Sequence, residues 1–262
     1  MAESAKELRA VYAETLVSLA ENNRQIVVLE ADLMRATGTG VFAAAFPDRA
    51  INVGVAEANL LGVAAGLSAV GKIPFAATFA CFASRRAFDQ FFISGNFAQL
   101  NVKLIGTDPG VCAAFNGGTH MPFEDLALMR AIPQLTIVEP SDPVSLRALV
   151  TLASQHTGCV YIRLQRKAAP QLYPDAEPFE FGKGKVLRDG GDVALVSLGA
   201  LMTNEALKAA DALKAGGISA SVLDMLSLKP FDEALVRAHA KRCGRVVSLE
   251  NHQVRGALGS AV

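Results

Sequence analysis

Residues 51–79, INVGVAEANLLGVAAGLSAVGKIPFAATF, contain two strand-like segments on either side of a longer apolar segment. INVGV predicts a short strand, residues 57–70 predict a helix, and KIPFAATF predicts a second strand. Continuous Val, Ile and Leu strands that alternate with helices are typical of a parallel sheet covered on both faces. This stretch therefore predicts an α/β fold.

The same alternation continues on both sides of this stretch. The other helices expected are residues 5–22, 84–97 and 142–156, and the other strands expected are QIVVLEAD, NVKLIGT, LTIVEP and CVYIRL. We therefore expect a first α/β domain over residues 1–170.

A linker and a second α/β unit follow. Residues 171–184 continue a stretch rich in proline, acids and glycine, which is linker composition. The second domain, 185–262, is expected to contain the strands DVALVSLG, ISASVLDM and RVVSLEN and the helices 203–215 and 231–242. GALGSAV should open another helix, so we expect this domain to be incomplete.

The composition argues against several classes of function. Lys plus Arg is 25 and Asp plus Glu is 25, so the chain lacks the basic excess that neutralises a nucleic acid. Its four cysteines form no zinc-binding or disulfide pattern, which indicates buried thiols in a reducing compartment. The N-terminus has no apolar signal core, and no apolar run reaches the ~18 to 20 residues that span a bilayer. We expect a cytoplasmic protein that binds neither nucleic acid nor membrane.

Glu57 places one carboxylate in an otherwise small and apolar stretch. An acid in a first helical turn gains ~0.3 to 1 kcal/mol from the helix dipole. The helix that follows is apolar nearly all the way round, so it should be buried, and Ala58, Gly62 and Gly66 would let another backbone approach one face. A buried carboxylate needs a hydrogen-bond donor, and the neighbouring sequence offers none.

The segment 53–90, VGVAEANLLGVAAGLSAVGKIPFAATFACFASRRAFDQ, is similar to the pyrimidine-binding domain of transketolases and 1-deoxyxylulose-5-phosphate synthases, whose cofactor is thiamine diphosphate. The resemblance extends to EADL, FNGGTH, LALMRAIPQLTIVEPSDP and SLENHQVRGALGSAV. It implies that Glu57 hydrogen-bonds a ring nitrogen of the aminopyrimidine and so activates the cofactor. Glu57 should then lack a partner in the isolated chain.

The resemblance also implies which residues surround the cofactor. Phe79 and Phe82 would line the pocket in which the pyrimidine stacks, worth ~0.5 to 1.5 kcal/mol beyond area burial. Arg85 stands where transketolases often have an aromatic, so it would change the far wall of that pocket. Phe88 and Phe91 are expected to be core residues.

Substrate contacts are implied at three arginines and a loop histidine. His120 would face the reacting ketose and hydrogen-bond its hydroxyls, and a histidine side chain suits proton transfer. Arg9, Arg86 and Arg166 match arginines that hold the phosphate of sugar substrates, a task suited to a fork of donors.

Two positions depart from the transketolase pattern. Asn116 replaces an aspartate that reads a substrate hydroxyl, and Asp108 replaces a histidine that contacts phosphate. An acid at this position would repel phosphate. These departures leave the identity of the sugar open.

The chain lacks the GDG and asparagine motif through which the family holds the cofactor diphosphate and its metal. The resemblance therefore implies a separate N-terminal transketolase subunit that carries the diphosphate with Mg²⁺ or another divalent cation. No metal ligand is expected in this chain. We expect a heterotetramer of two plus two chains, with the Gly62/Gly66 helix as a candidate interface.

The implied reaction is transfer of a two-carbon ketol unit from a ketose to an aldose. A beta-type subunit of a 2-oxo acid dehydrogenase remains an alternative, although RAFDQ and GGTH favour transketolase. A non-catalytic regulatory subunit is a second alternative: the presence of Glu57 argues against it, and Asp108 and Asn116 leave it open.

Overall fold

A computed structural model describes residues 6–262 of the chain. Residues 1–5, which belong to the first domain expected from the sequence, lie outside the described residues. The strands are β1 (Lys6–Glu7), β2 (Ile26–Glu30), β3 (Ala50–Asn52), β4 (Ile73–Phe79), β5 (Lys103–Thr107), β6 (Thr136–Val138), β7 (Val160–Leu164), β8 (Ala168–Ala169), β9 (Lys185–Arg188), β10 (Val193–Ser197), β11 (Ala220–Asp224), β12 (Ser227–Lys229) and β13 (Val246–Leu249).

Helices alternate with most of these strands. They are α1 (Leu8–Asn22), α2 (Met34–Thr37), α3 (Gly40–Ala45), α4 (Glu57–Ala69), α5 (Ala80–Arg85), α6 (Phe88–Gln90), α7 (Asp125–Ala131), α8 (Pro143–Gln155), α9 (Gly199–Ala215), α10 (Glu233–Cys243) and α11 (Leu258–Ala261).

A seven-stranded sheet with the order β12-β6-β7-β5-β4-β2-β3 forms the centre of the first unit. Every neighbouring pair is parallel except β12 with β6. Two large apolar clusters pack on its faces, one around α4 and α7 and the other around α1 and α8. The fold class predicted from the sequence is confirmed.

The helix expected over residues 84–97 is interrupted. α5 ends at Arg85, α6 is a single short turn, and Phe91–Phe97 form a π-helix. Phe91 is fully buried, whereas Phe88 packs partly buried against the core.

The α4 helix is not buried on all sides, contrary to the expectation. Leu60, Leu61 and Ala64 face the core, because the helix packs on the sheet through one side. Gly62 and Gly66 are exposed on the other side. The small residues therefore form an open face on this chain.

The second unit contains a four-stranded sheet with the order β13-β10-β11-β9. β9 is antiparallel to β11, and the other pairs are parallel. β12 follows β11 in the chain but pairs with β6 at the edge of the seven-stranded sheet. The second unit therefore contributes one strand to the sheet of the first. In the described part of the chain, no helix is both long and apolar enough to span a membrane.

Candidate cofactor and substrate site

The candidate residues lie around loops that follow the carboxyl ends of neighbouring parallel strands. β4 ends at Phe79 and continues into α5, while β5 ends at Thr107 and continues into the loop that carries His120. Such ends meet at one edge of a sheet, which is where α/β folds place their ligand sites. The fold thus brings together side chains that are far apart in sequence.

Three aromatic rings form the centre of this site. The centroids of Phe79 and Phe82 lie 5.9 Å apart with their planes 29° from parallel. The His120 ring meets both edge-on, at 6.0 Å from Phe79 and 5.3 Å from Phe82. The structure therefore places the two predicted pocket aromatics and the predicted loop histidine in one cluster.

Glu57 lies beside this cluster with only 4% of its surface exposed, and it has a partner. Arg86 donates from Nη1 to Glu57 Oε1 at 3.0 Å, and its guanidinium carbon lies 4.0 Å from the Phe82 ring centroid. The expectation that Glu57 lacks a partner in the isolated chain is therefore wrong. The donor lies 29 residues further along the chain, so the pairing is visible only in the folded structure.

The neighbouring Arg85 points to a different acid. Its Nε donates to Glu124 Oε1 at 2.5 Å, and its Nη1 donates to the backbone oxygen of Thr119 at 3.3 Å. Burial opposes ionisation of Glu124, but hydrogen bonds from Arg85 and from the backbone lower its pKa overall. Thr119 Oγ1 lies 2.9 Å from His120 Nδ1. Arg85 therefore stabilises the loop that carries His120 through its bonds to Thr119 and Glu124.

Asp108 and Arg166 form an ion pair at the far side of the aromatic cluster. The Arg166 guanidinium carbon lies 5.2 Å from the Phe79 ring centroid. Asp108 is 1% exposed and adopts a left-handed backbone conformation with φ of 56°. Burial raises the pKa of Asp108 in spite of the Arg166 charge. The acid thus offsets part of the positive charge predicted to hold the substrate.

Arg9 reaches the same region from the N-terminal helix. Its backbone N–H donates to the Arg166 carbonyl at 3.2 Å. Arg9, Arg166, Arg35 and Asp32 line a cavity of about 300 Å³. The Arg9 side chain also pairs with Glu7 at 2.8 Å on the surface. Two of the predicted anion-binding arginines therefore share one cavity.

Asn116 stays apart from this network. It ends the short 3₁₀ segment Gly110–Asn116 with an exposed side chain. Within residues 6–262, no side-chain hydrogen bond or ion pair joins it to the other candidate residues.

Residues that were not predicted from the sequence hold the histidine loop against the second unit. Asn251 donates from Nδ2 to the Pro109 carbonyl at 2.9 Å and accepts from the Val111 N–H at 3.0 Å. Its own carbonyl accepts from the buried Arg163 at 2.8 Å. A lone arginine in the apolar strand VYIRL was the available signal, since a buried cation requires acidic partners.

These residues fit one half of thiamine diphosphate. The Glu57 carboxylate can accept a hydrogen bond from a planar N–H donor, and the Phe82 ring can stack on the same donor. The Arg86 guanidinium makes both contacts. The contacts described here concern the pyrimidine, not the diphosphate or its cation. In the described range 6–262, no three His, Cys, Asp or Glu side chains are grouped to hold a metal. The residues described above match the aminopyrimidine end of the cofactor.

Comparisons with known proteins agree with this assignment. The family model of the transketolase pyrimidine-binding domain matches residues 4–171, and that of the transketolase C-terminal domain matches residues 182–262. A 6-deoxy-6-sulfo-D-fructose transketolase subunit, SqwH, from Clostridium sp. (strain MSTE9) is 49% identical over 97% of this chain and 79% of its own. A subunit of the apulose-4-phosphate transketolase of Phocaeicola vulgatus is 35% identical over 100% of this chain and 84% of its own.

Solved structures extend the comparison. A split gene transketolase described as an inactive beta4 tetramer superposes with a TM-score of 0.90 at 48% identity, over 98% of this chain and 84% of that chain. The transketolase of Campylobacter jejuni shares the fold with a TM-score of 0.82 at 21% identity, over 94% of this chain and 39% of that chain. The resemblance drawn from the sequence motifs is confirmed, and the chain belongs to the transketolase family.

Proposed function

We propose that this chain is the pyrimidine-side subunit of a split transketolase, which transfers a two-carbon ketol group from a ketose to an aldose. The observation that carries the proposal is the buried Glu57 carboxylate, which Arg86 links to the Phe82 ring, with His120 packed against the same ring. A carboxylate that accepts a hydrogen bond and an aromatic face that stacks a planar ring together suit an aminopyrimidine. His120 stands at the edge of both rings, where it can orient a sugar hydroxyl and exchange a proton.

The cofactor, when bound, supplies the carbon nucleophile that takes up the ketol unit. Glu57 would accept a hydrogen bond from the pyrimidine ring, and Phe79 and Phe82 would exclude water from its faces. Arg85 would fix the His120 loop through Thr119 and Glu124.

The diphosphate and a divalent cation such as Mg²⁺ would be held by an N-terminal partner subunit. The similar relatives of Clostridium sp. (strain MSTE9) and Phocaeicola vulgatus, which this chain covers to 79% and 84% of their length, are named as subunits, and this supports the proposal. We propose a heterotetramer of two plus two chains. The inactive tetramer of beta chains described for the similar split transketolase is consistent with a requirement for the other subunit.

The anionic end of the substrate would enter the cavity lined by Arg9, Arg35 and Arg166. Asp32 lines this cavity and Asp108 pairs with Arg166, so the three cations face two acids. The similar subunits are named for a sulfonated ketose and a phosphorylated one. We therefore propose a ketose with a sulfonate or phosphate at the end remote from the carbonyl.

The test is ketol transfer by this chain, co-purified with a chain that carries the diphosphate and metal site. A panel of phosphorylated, sulfonated and uncharged ketoses is assayed with an aldose acceptor. Glu57→Gln keeps the side-chain shape but removes the anionic acceptor, and it should lower kcat by at least ~10²-fold. Glu14→Gln, on the exposed face of α1, is the matched control. Undiminished activity in Glu57→Gln would refute the proposal, and release of carbon dioxide from pyruvate would favour the 2-oxo acid dehydrogenase alternative.

A further inference from the structure

Arg86 makes two contacts at once, one with the Glu57 carboxylate at 3.0 Å and one with the Phe82 ring at 4.0 Å from its centroid. The guanidinium is planar, delocalised and edged with N–H donors. An aminopyrimidine is likewise planar and delocalised, and its amino group and, once protonated, a ring nitrogen are its N–H donors. Arg86 therefore satisfies the same acceptor and covers an aromatic surface of the same pocket that the proposed function assigns to the cofactor ring.

We infer that Arg86 occupies the pyrimidine site in the unassembled chain. There it keeps Glu57 and Phe82 in place, and it must move away when the pyrimidine binds. This inference rests on the proposed function for the identity of the incoming ring. In this inference the pyrimidine lies on the same Glu57 Oε1 atom and the same face of Phe82 that Arg86 covers, so the two groups cannot be bound there together.

The position of Arg86 makes the exchange feasible. Glu57 is 4% exposed, whereas the Arg86 side chain is 52% exposed, so the arginine can rotate into water while the acid stays in place. Arg86 is the C-cap residue that directly follows the last residue of α5, and a side-chain rotation there leaves the helix intact. An ion pair with one exposed partner is weak, so it can protect a buried carboxylate without blocking the cofactor.

Arg85 shows that this placement is specific to Arg86. The two arginines are adjacent, yet Arg85 points to Glu124 and the backbone of Thr119. Arg49 offers the matched comparison elsewhere in the chain. Its guanidinium carbon lies 3.9 Å from the Phe46 ring centroid, and its donors go to backbone carbonyls instead of a carboxylate.

The experiment uses the isolated chain and one probe, the pyrimidine fragment of thiamine, 4-amino-5-hydroxymethyl-2-methylpyrimidine. Fragment affinity is measured by NMR titration for the wild type, Arg86→Ala and Arg49→Ala. We expect Arg86→Ala to bind the fragment about 3- to 10-fold more tightly than the wild type, because no ion pair has to be broken first. Arg49→Ala should match the wild type. Adding Glu57→Gln to Arg86→Ala should remove the gain, which locates the fragment at the carboxylate.

A second measurement uses the wild-type chain alone and so does not depend on whether a variant folds. In the wild type, the side-chain ¹⁵N signal of Arg86 should move as the fragment saturates the chain, while that of Arg49 stays in place. The inference is overturned if Arg86→Ala binds the fragment no more tightly than the wild type, including the case in which neither binds. It is equally overturned if the fragment binds at Glu57 and the Arg86 signal does not move. Failure of ketol transfer in the assembled enzyme, with fragment exchange intact, would count against the proposed function alone.

Discussion

Arg163 and Asp125 form a bidentate ion pair in which both side chains are almost completely buried. Arg163 Nε donates to Asp125 Oδ2 at 2.7 Å, and Nη2 donates to Oδ1 at 3.0 Å. The remaining nitrogen donates to both carboxylate oxygens of Glu139, at 3.2 and 3.0 Å. Arg163 Nη2 also donates to the Asn251 carbonyl, and Asn251 Nδ2 donates to the Pro109 carbonyl. These bonds link β7 of the first unit to the second unit and to the loop that carries His120.

Removal of the Arg163 charge should be strongly destabilising. Arg163→Met leaves the carboxylates of Asp125 and Glu139 buried without their cation, and we expect a loss of about 3 to 5 kcal/mol in the free energy of unfolding. Arg188→Met is the control. Arg188 is exposed and lies 3.7 Å from Asp211, which is also exposed, so its loss should cost at most about 1 kcal/mol. Urea unfolding measures both. Equal effects of the two substitutions would contradict a central role for the buried pair.

Asp108 should tune how strongly the site attracts a charged substrate. Asp108→Asn removes one negative charge beside Arg166, and asparagine tolerates the left-handed backbone found there. In the assembled enzyme we expect the KM for a phosphorylated ketose to fall by about 3- to 10-fold, while the KM for an uncharged ketose stays constant. Asp175→Asn, at a highly exposed acid, is the control. A rise in KM for both ketoses would indicate that Asp108 chiefly orients Arg166, contrary to this prediction.

Glu30 should make stability depend on pH. Its carboxyl is buried, and burial raises its pKa from 4.5 to about 7, although Thr37 and Thr39 each donate to Oε1 at 2.6 Å. Between these two pH values the folded chain holds a proton that the unfolded chain has released, so this group's contribution to stability falls as pH rises from about 4.5 to 7. The raised pKa corresponds to about 3 kcal/mol at most.

Glu30→Gln keeps an oxygen acceptor for both threonines and has no charge to bury. We expect the variant to gain stability over the wild type as pH rises from 5 to 8, measured by urea unfolding at each pH. Glu139 and Asp224, whose pKa values are also raised, have the same sign of dependence, so the difference between the two proteins isolates Glu30. A difference that does not change with pH would contradict the prediction.

The sequence predicted what depends on local patterns and failed where distant residues meet. The strand and helix alternation around residues 51–79 predicted the parallel sheet, because apolar periodicity reflects burial directly. Family motifs predicted Glu57, Phe79, Phe82 and His120 as candidates. The structure brings the three rings together and joins Glu57 to Phe82 through Arg86. The Glu57 partner was missed because Arg86 lies 29 residues away in sequence, and no local pattern encodes a pairing over that distance.

The open face of α4 should contact another chain. A Cβ atom added at Gly62 or Gly66 would meet nothing within 4 Å, so a larger side chain fits on the isolated fold, and replacing a helical glycine favours the helix by up to ~1 kcal/mol. Gly62→Leu should therefore leave the free energy of unfolding of the isolated chain unchanged or raise it. The same substitution should weaken self-association by at least ~10-fold, because the leucine side chain holds the two backbones apart. Gly191→Leu is the control, since its site is equally open and lies in the second unit. Analytical ultracentrifugation over a concentration series measures the effect, and unaltered association of Gly62→Leu would exclude this face as the contact between copies.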